Sequence, residues 1–154
     1  MRSLALYRES IESHVASDLM AAFHAELAHR SPDTASYSRV TADQVAPGRG
    51  AFVIARSTRV PIGCGAIRRV DAATAELKVM YVMPSYRRRG VGRELLKYLE
   101  AVARELGVES LFVETDVRQL EALSLYRSAG YTEPPAEAPR SAVRMERRLP
   151  SIER

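Results

Sequence analysis

Cysteine is almost absent: Cys64 is the only one in 154 residues. That excludes an internal disulfide framework and any zinc site built on a cysteine cluster. It fits a reducing, cytoplasmic setting. Aromatic residues are scarce, at 6%, and offer little stacking surface for nucleic acid. No run of about 18 apolar residues occurs, so no membrane span is expected. The N-terminal stretch MRSLALYRESIE carries charges where a secretory signal needs an apolar centre, so export is not expected. No internal repeat and no low-complexity tract is visible.

What is present is ordinary in amount and uneven in placement. The length suits one domain, residues 1–154, with 46% apolar and 27% charged residues. Net charge is +4, from 23 Lys and Arg against 19 Asp and Glu. Arg87, Arg88, Arg89 and Arg93 crowd together, and Arg144, Arg147 and Arg148 cluster near the end. A local basic patch suits an anionic ligand. A solvated arginine-rich surface is the plainer alternative.

Periodicity divides the chain. Residues 3–9 read as a strand, and 11–30 as a helix with Val15, Leu19, Met20, Phe23 and Leu27 at helical spacing. Residues 31–50 read as a loop. Strands follow at 51–56, 61–70 and 76–83, the last ended by Pro84. Val91, Leu95, Leu99, Val102 and Leu106 form one apolar helical stripe, stopped by Gly107. A strand at 108–115, a shorter helix at 119–129, a Pro-rich loop at 133–141 and a strand at 142–149 complete the chain. The predicted order is β-α-β-β-β-α-β-α-β-β, a mixed α/β (α+β) fold with a central, mostly antiparallel sheet flanked by helices.

The richest segment is Met80 to Leu96, MYVMPSYRRRGVGRELL. A strand runs through a basic loop into Gly90-Val91-Gly92 and then a helix. A helix N-terminus has unsatisfied N–H groups and a partial positive charge. Glycines there let a phosphate reach the backbone, and arginines on the same turn add charge-assisted hydrogen bonds. No Walker A loop is present. The dinucleotide fingerprint fails too, since its third glycine position holds Leu95.

Arg87-x-x-Gly90-x-Gly92 resembles the Arg/Gln-x-x-Gly-x-Gly/Ala signature of the GNAT superfamily of N-acetyltransferases. Tyr81-Val82-Met83-Pro84 resembles the end of that family's fourth strand. Ala122 through Tyr131, ALSLYRSAGY, resembles its second motif, Ala-x-x-Leu-Tyr-x-x-x-Gly-Phe/Tyr. The resemblance covers residues 60–132 and implies the acyl-CoA N-acyltransferase fold.

It also implies acetyl-CoA as co-substrate. Its pyrophosphate would rest on Arg88, Arg89, Gly90, Val91, Gly92 and Arg93, with Arg87 adding charge. Pantetheine would lie along the backbone of Met80, Tyr81 and Val82, an exposed edge able to meet its amides. Gln119 stands where many members carry an asparagine that touches pantetheine. Tyr126 matches the tyrosine that protonates departing CoA thiolate. Glu76 and Glu114 match base positions of two branches of the family, and Asp116 is a third candidate. A base helps because an alkylammonium has a pKa near 10. A backbone N–H at Val82 would stabilise the oxyanion.

The expected activity is acetyl transfer to a primary amine, on a small molecule or a protein, by direct attack in a ternary complex. The resemblance also implies a homodimer; neither a membrane nor nucleic acid is expected as partner. No metal is expected, since His14, His24 and His29 lack helical metal-pair spacing. Cys64 reads as a small buried apolar residue. The alternative is a non-catalytic acyl-CoA sensor or partner-binding module on the same fold.

Overall fold

Alternation builds the sheet. The computed structural model describes residues 3–30, 39–116, 118–133 and 142–150. In β2 (Gly50–Ser57), Phe52 and Ile54 face one side while Ala51, Val53 and Ala55 face the other. Both faces are apolar, so both must be covered. The helix α1 (His14–Arg30) covers the first face through Ala16, Leu19 and Met20. It starts where the Ser13 hydroxyl accepts the Ala16 N–H at 3.1 Å. The second face is covered by α2 (Val91–Leu106) and α3 (Leu120–Ser128). The predicted α2 stripe is on this face, and Gly107 ends the helix in a left-handed conformation at φ 79°.

Six strands form one sheet in sequence order: β1 (Leu4–Arg8), β2, β3 (Val60–Arg69), β4 (Thr74–Val82), β5 (Ser110–Asp116) and β6 (Ala142–Arg148). All neighbours are antiparallel except β4 and β5, which run parallel around α2. No helix among the described residues is long and apolar enough to cross a membrane.

The predicted order ended on two strands. Among the described residues the chain after α3 supplies one, β6, and a lone bridge from Thr132 to Glu146. The reason is local. Gly130 and Tyr131 donate their N–H groups back to Arg127 and Tyr126, at 3.1 and 3.0 Å, and among the described residues between α3 and β6 only Thr132 pairs with the sheet. The predicted loop segments 31–38 and 134–141 lie outside the described residues.

Two irregularities interrupt the sheet on either side of β4. The β3–β4 register passes from Ala66↔Val79 to Ile67↔Leu77, leaving Lys78 as a bulge. Ala75 and Leu77 pack toward α2 before it, Met80 and Val82 after it. Just there, β4 and β5 part. They pair only from Thr74↔Ser110 to Leu77↔Val113, although β4 runs on to Val82 and β5 to Asp116. The result is a wedge-shaped gap between two parallel strands.

Glycines in β3 let α2 and β4 close up beside it. A Cβ on Gly63 would stand 2.6 Å from the Tyr81 backbone oxygen, and one on Gly65 2.7 Å from Leu99 Cδ1. Leu99 can swing aside; a strand carbonyl cannot. Gly63→Ala is therefore expected to destabilise the fold by about 1–3 kcal/mol. Thermal unfolding should show it as a fall in Tm of roughly 3–10 °C. An unchanged Tm would mean that β3 and β4 approach less closely.

Candidate active site

The open edge of β4 is set by hydrogen-bond alternation. Met83 donates its N–H to the Ile62 carbonyl at 2.7 Å. In an antiparallel pair the pointing direction alternates along the strand. The N–H and C=O groups of Val82 and the N–H of Met80 therefore face away from β3, into the gap. A short 3-10 turn, Pro84–Tyr86, then swings the chain toward α2.

Arg87 closes this corner. Its Nε donates to the Val82 carbonyl at 2.8 Å, and its Nη2 meets Glu26 Oε2 at 2.5 Å. Its guanidinium also stacks over the Tyr81 ring, 5.8 Å from the centroid. The hydrogen bond to Glu26 raises the Arg87 pKa above the ordinary arginine value. Glu26 is shared with Arg30, one turn further along α1, at 3.1 Å. The sequence places Arg87 at the ligand; the structure shows it gripping β4 and α1, with its side chain only 18% exposed.

Arg88 and Gly90 both take left-handed conformations, at φ 63° and 85°. No side chain caps α2. The N–H groups of Val91, Gly92 and Arg93 thus have no acceptor within the helix. A Cβ on Gly92 would press on Leu125 at 3.3 Å, so glycine keeps α2 and α3 close here. These residues open onto a cleft of about 640 Å³, bounded by α1, the end of β4, the Arg87–Gly92 loop and α3.

Most of the predicted ligand-binding residues meet in this cleft. Met80, Tyr81, Val82, Arg87, Arg88, Gly90, Val91, Gly92, Arg93, Gln119 and Tyr126 all line it. Arg89 does not; its guanidinium lies over the Tyr86 ring at 5.6 Å. Arg93 reaches Ser128 Oγ at 3.1 Å and ties the α2 start to α3.

Tyr126 is the hinge of the arrangement. It is 2% exposed, yet it lines both the large cleft and a smaller pocket of about 80 Å³ in the gap between β4 and β5. Its hydroxyl has no hydrogen-bond partner among the described residues. Burial pushes the phenol well above its ordinary pKa, so it keeps its proton. Its ring packs against Tyr131 at 5.8 Å. Tyr131 in turn donates to buried Glu100, which also pairs with Arg147 at 2.6 Å.

The three candidate carboxylates are placed differently. Glu114 is exposed and lines the smaller pocket. Glu76 is 7% exposed, lines neither cavity, accepts Arg68 Nε at 2.8 Å and pairs with Arg68 Nη2 at 2.8 Å. Asp116 is fully buried and lines the smaller pocket. It accepts the Arg118 guanidinium at 2.6 and 2.7 Å and the Arg118 backbone N–H at 2.8 Å. Those bonds hold its carboxyl below the usual range and leave it a weak base.

The contribution of α1 to the site is not legible in the sequence. Phe23 and Leu27 border both cavities, and Glu26 and Arg30 border the large one. The Glu26–Arg30 spacing is a local signal, but nothing local points from Glu26 to Arg87. Cys64 is fully buried and its thiol is pushed up to about 12, so it carries no thiolate at neutral pH. Among the described residues no three His, Cys, Asp or Glu side chains gather as a metal site.

Comparison with known proteins agrees with this geometry. A family profile described as "Acetyltransferase (GNAT) family" matches residues 13–131. The chain is 37% identical over 83 residues to an IAA acetyltransferase of Azospirillum brasilense, covering 53% of this chain and 54% of that protein. It spans about half the length, or less, of the curated relatives it matches. A Klebsiella pneumoniae structure described as an acyl-CoA N-acyltransferase superposes with a TM-score of 0.78 at 28% identity, over 95% of this chain and 97% of that one. A GNAT acetyltransferase from Elizabethkingia anophelis, solved with acetyl-CoA bound, shares the fold at 18% identity and a TM-score of 0.69, over 95% and 98% of the two chains. With three-quarters of its length inside the family profile, the wedge between β4 and β5 and the uncapped start of α2 in place, the chain belongs to the GNAT acetyltransferase family.

Proposed function

We propose that this protein transfers the acetyl group of acetyl-CoA to a primary amine by direct attack within a ternary complex. The observation that carries it is the position of Tyr126, a buried, protonated phenol at the junction of a large cleft and a small pocket. The large cleft takes acetyl-CoA. Its pyrophosphate accepts hydrogen bonds from the N–H groups of Val91, Gly92 and Arg93, with Arg88 adding charge. The pantetheine amides pair with the open edge of β4 at Met80 and Val82, and Gln119 stands beside the arm.

The thioester then lies at the gap, next to Tyr126, and the amine enters from the smaller pocket. Glu114, through a water, takes the amine proton. The amine nitrogen bonds to the carbonyl carbon, and the Val82 N–H stabilises the oxyanion. As the C–S bond breaks, the nitrogen sheds its second proton to solvent, Tyr126 gives its proton to the thiolate, and the phenolate regains one from solvent. Glu76, paired with Arg68 and outside both cavities, holds the strand. The protein works as one domain in a cytoplasmic setting.

Calorimetric titration with acetyl-CoA, followed by CoA release on a panel of amines, tests this. One-to-one saturable binding and turnover with at least one amine are expected. Absence of saturable binding would overturn the reading of the cleft. Binding without turnover on any amine would favour a sensor.

A further inference from the structure

The side of the sheet facing α1 carries an evenly matched set of charges around the smaller pocket. Most are closed pairs. Glu76 is held by Arg68, Asp116 by Arg118 and Glu146 by Arg144. Two groups in the pocket wall are not closed. Glu114, on β5, has no ion pair or hydrogen bond among the described residues.

The other is Lys78, on β4. It is the bulge residue, extruded from the β3–β4 register just where β4 leaves β5. Its side chain is 11% exposed. Its sole ionic contact among the described residues is Glu76 Oε1 at 4.0 Å, an oxygen that already accepts Arg68 Nε and lies 2.8 Å from Arg68 Nη2. An ammonium has three N–H donors, and enclosing it without matching acceptors is costly. Lys78 and Glu114 do not pair with each other, yet both border the pocket that Tyr126 closes. One arm of the wedge thus presents a nearly unmatched cation, the other an unmatched carboxylate.

We propose that the acceptor is an amino acid or a close analogue, with a carboxylate near its reacting amine. The carboxylate meets the Lys78 ammonium on β4. The amine lies toward Glu114 on β5, beside the thioester. This rests on the acetyltransferase reading above and makes Lys78 the residue that selects the acceptor. A simple amine leaves Lys78 without its acceptor, and a protein N-terminus has an amide where the carboxylate belongs.

The test compares each common L-amino acid with its carboxamide in a CoA-release assay on the full chain. At least one amino acid is expected to exceed its amide by about 10- to 100-fold in kcat/KM, the range of a charge-assisted hydrogen bond. Lys78→Met should bring that ratio close to one, and Lys78→Arg should restore part of it. Amides acetylated as well as the acids would overturn the proposal. So would a ratio unchanged in Lys78→Met, or acetyl-CoA binding with no amino acid acetylated. If Lys78→Met fails to bind acetyl-CoA, the wild-type comparison of acids with amides decides alone. Failure of the wild type to bind acetyl-CoA is a different result and removes the acetyltransferase reading itself.

Discussion

Replacing Arg87 by methionine is expected to weaken acetyl-CoA binding about 10- to 100-fold and to destabilise the fold by about 2–3 kcal/mol. Both effects come from one corner. Without Nε the Val82 carbonyl, which points into the gap, loses its donor. Without Nη2, Glu26 keeps only Arg30 among the described residues, and α1 loses its charged tie to the corner at the end of β4. The end of β4 and the loop into α2 then drift from the geometry that lines up strand amides with helix amides. The Arg/Gln alternation at this signature position sharpens the prediction. What the two side chains share is an N–H able to reach the Val82 carbonyl. Arg87→Gln should therefore keep most of the acetyl-CoA affinity while losing the charge pair with Glu26. Titration calorimetry gives the affinities, and thermal unfolding should show a loss of roughly 4–12 °C for methionine. Equal affinities for the two variants would show that charge, not the hold on Val82, is what Arg87 supplies.

This double role is invisible in the sequence because its partners are remote. Arg87 and Glu26 lie 61 positions apart. The glycines and arginines of the loop are legible as an uncapped, basic helix start because helix starts are local events. Gly107 as a helix stop is legible for the same reason. The Lys78 bulge is not. Val79, Met80, Tyr81 and Val82 are all apolar, so a one-residue slip in alternation leaves the hydrophobic pattern unchanged on both faces. Yet that slip coincides with the parting of β4 from β5 and so with the smaller pocket.

The candidate carboxylates show the same limit. Glu76 and Glu114 both read as acids on strands near the motifs. What separates them is register. Arg68 stands opposite Glu76 across β3 and closes on it. Arg144 stands opposite Glu114 across β6 but turns to Glu146, with its guanidinium 3.8 Å above the Phe112 ring. Which acid is free is a property of the assembled sheet.

Tyr126→Phe is expected to cut kcat by about 10²- to 10⁴-fold while acetyl-CoA affinity stays within about twofold. The hydroxyl has no hydrogen-bond partner among the described residues, while the ring packs against Tyr131. Removing one oxygen therefore leaves a buried aromatic in its cavity and breaks no internal bond, so Tm should hold. The phenol is a weak acid, and burial makes it weaker. The same burial raises the basicity of a thiolate released beside it, since both anions lose the same water. Proton transfer between them is then a matter of contact and direction, which Tyr126 has by touching both cavities. Because its pKa is raised, the acid stays protonated throughout the range in which an amine deprotonates. The wild-type rate should climb with pH and show no tyrosine-linked fall below about pH 10. The phenylalanine variant should keep the climb at a much lower ceiling. A variant that binds acetyl-CoA and turns over like the wild type would remove Tyr126 from the chemistry and leave protonation of the thiolate to water.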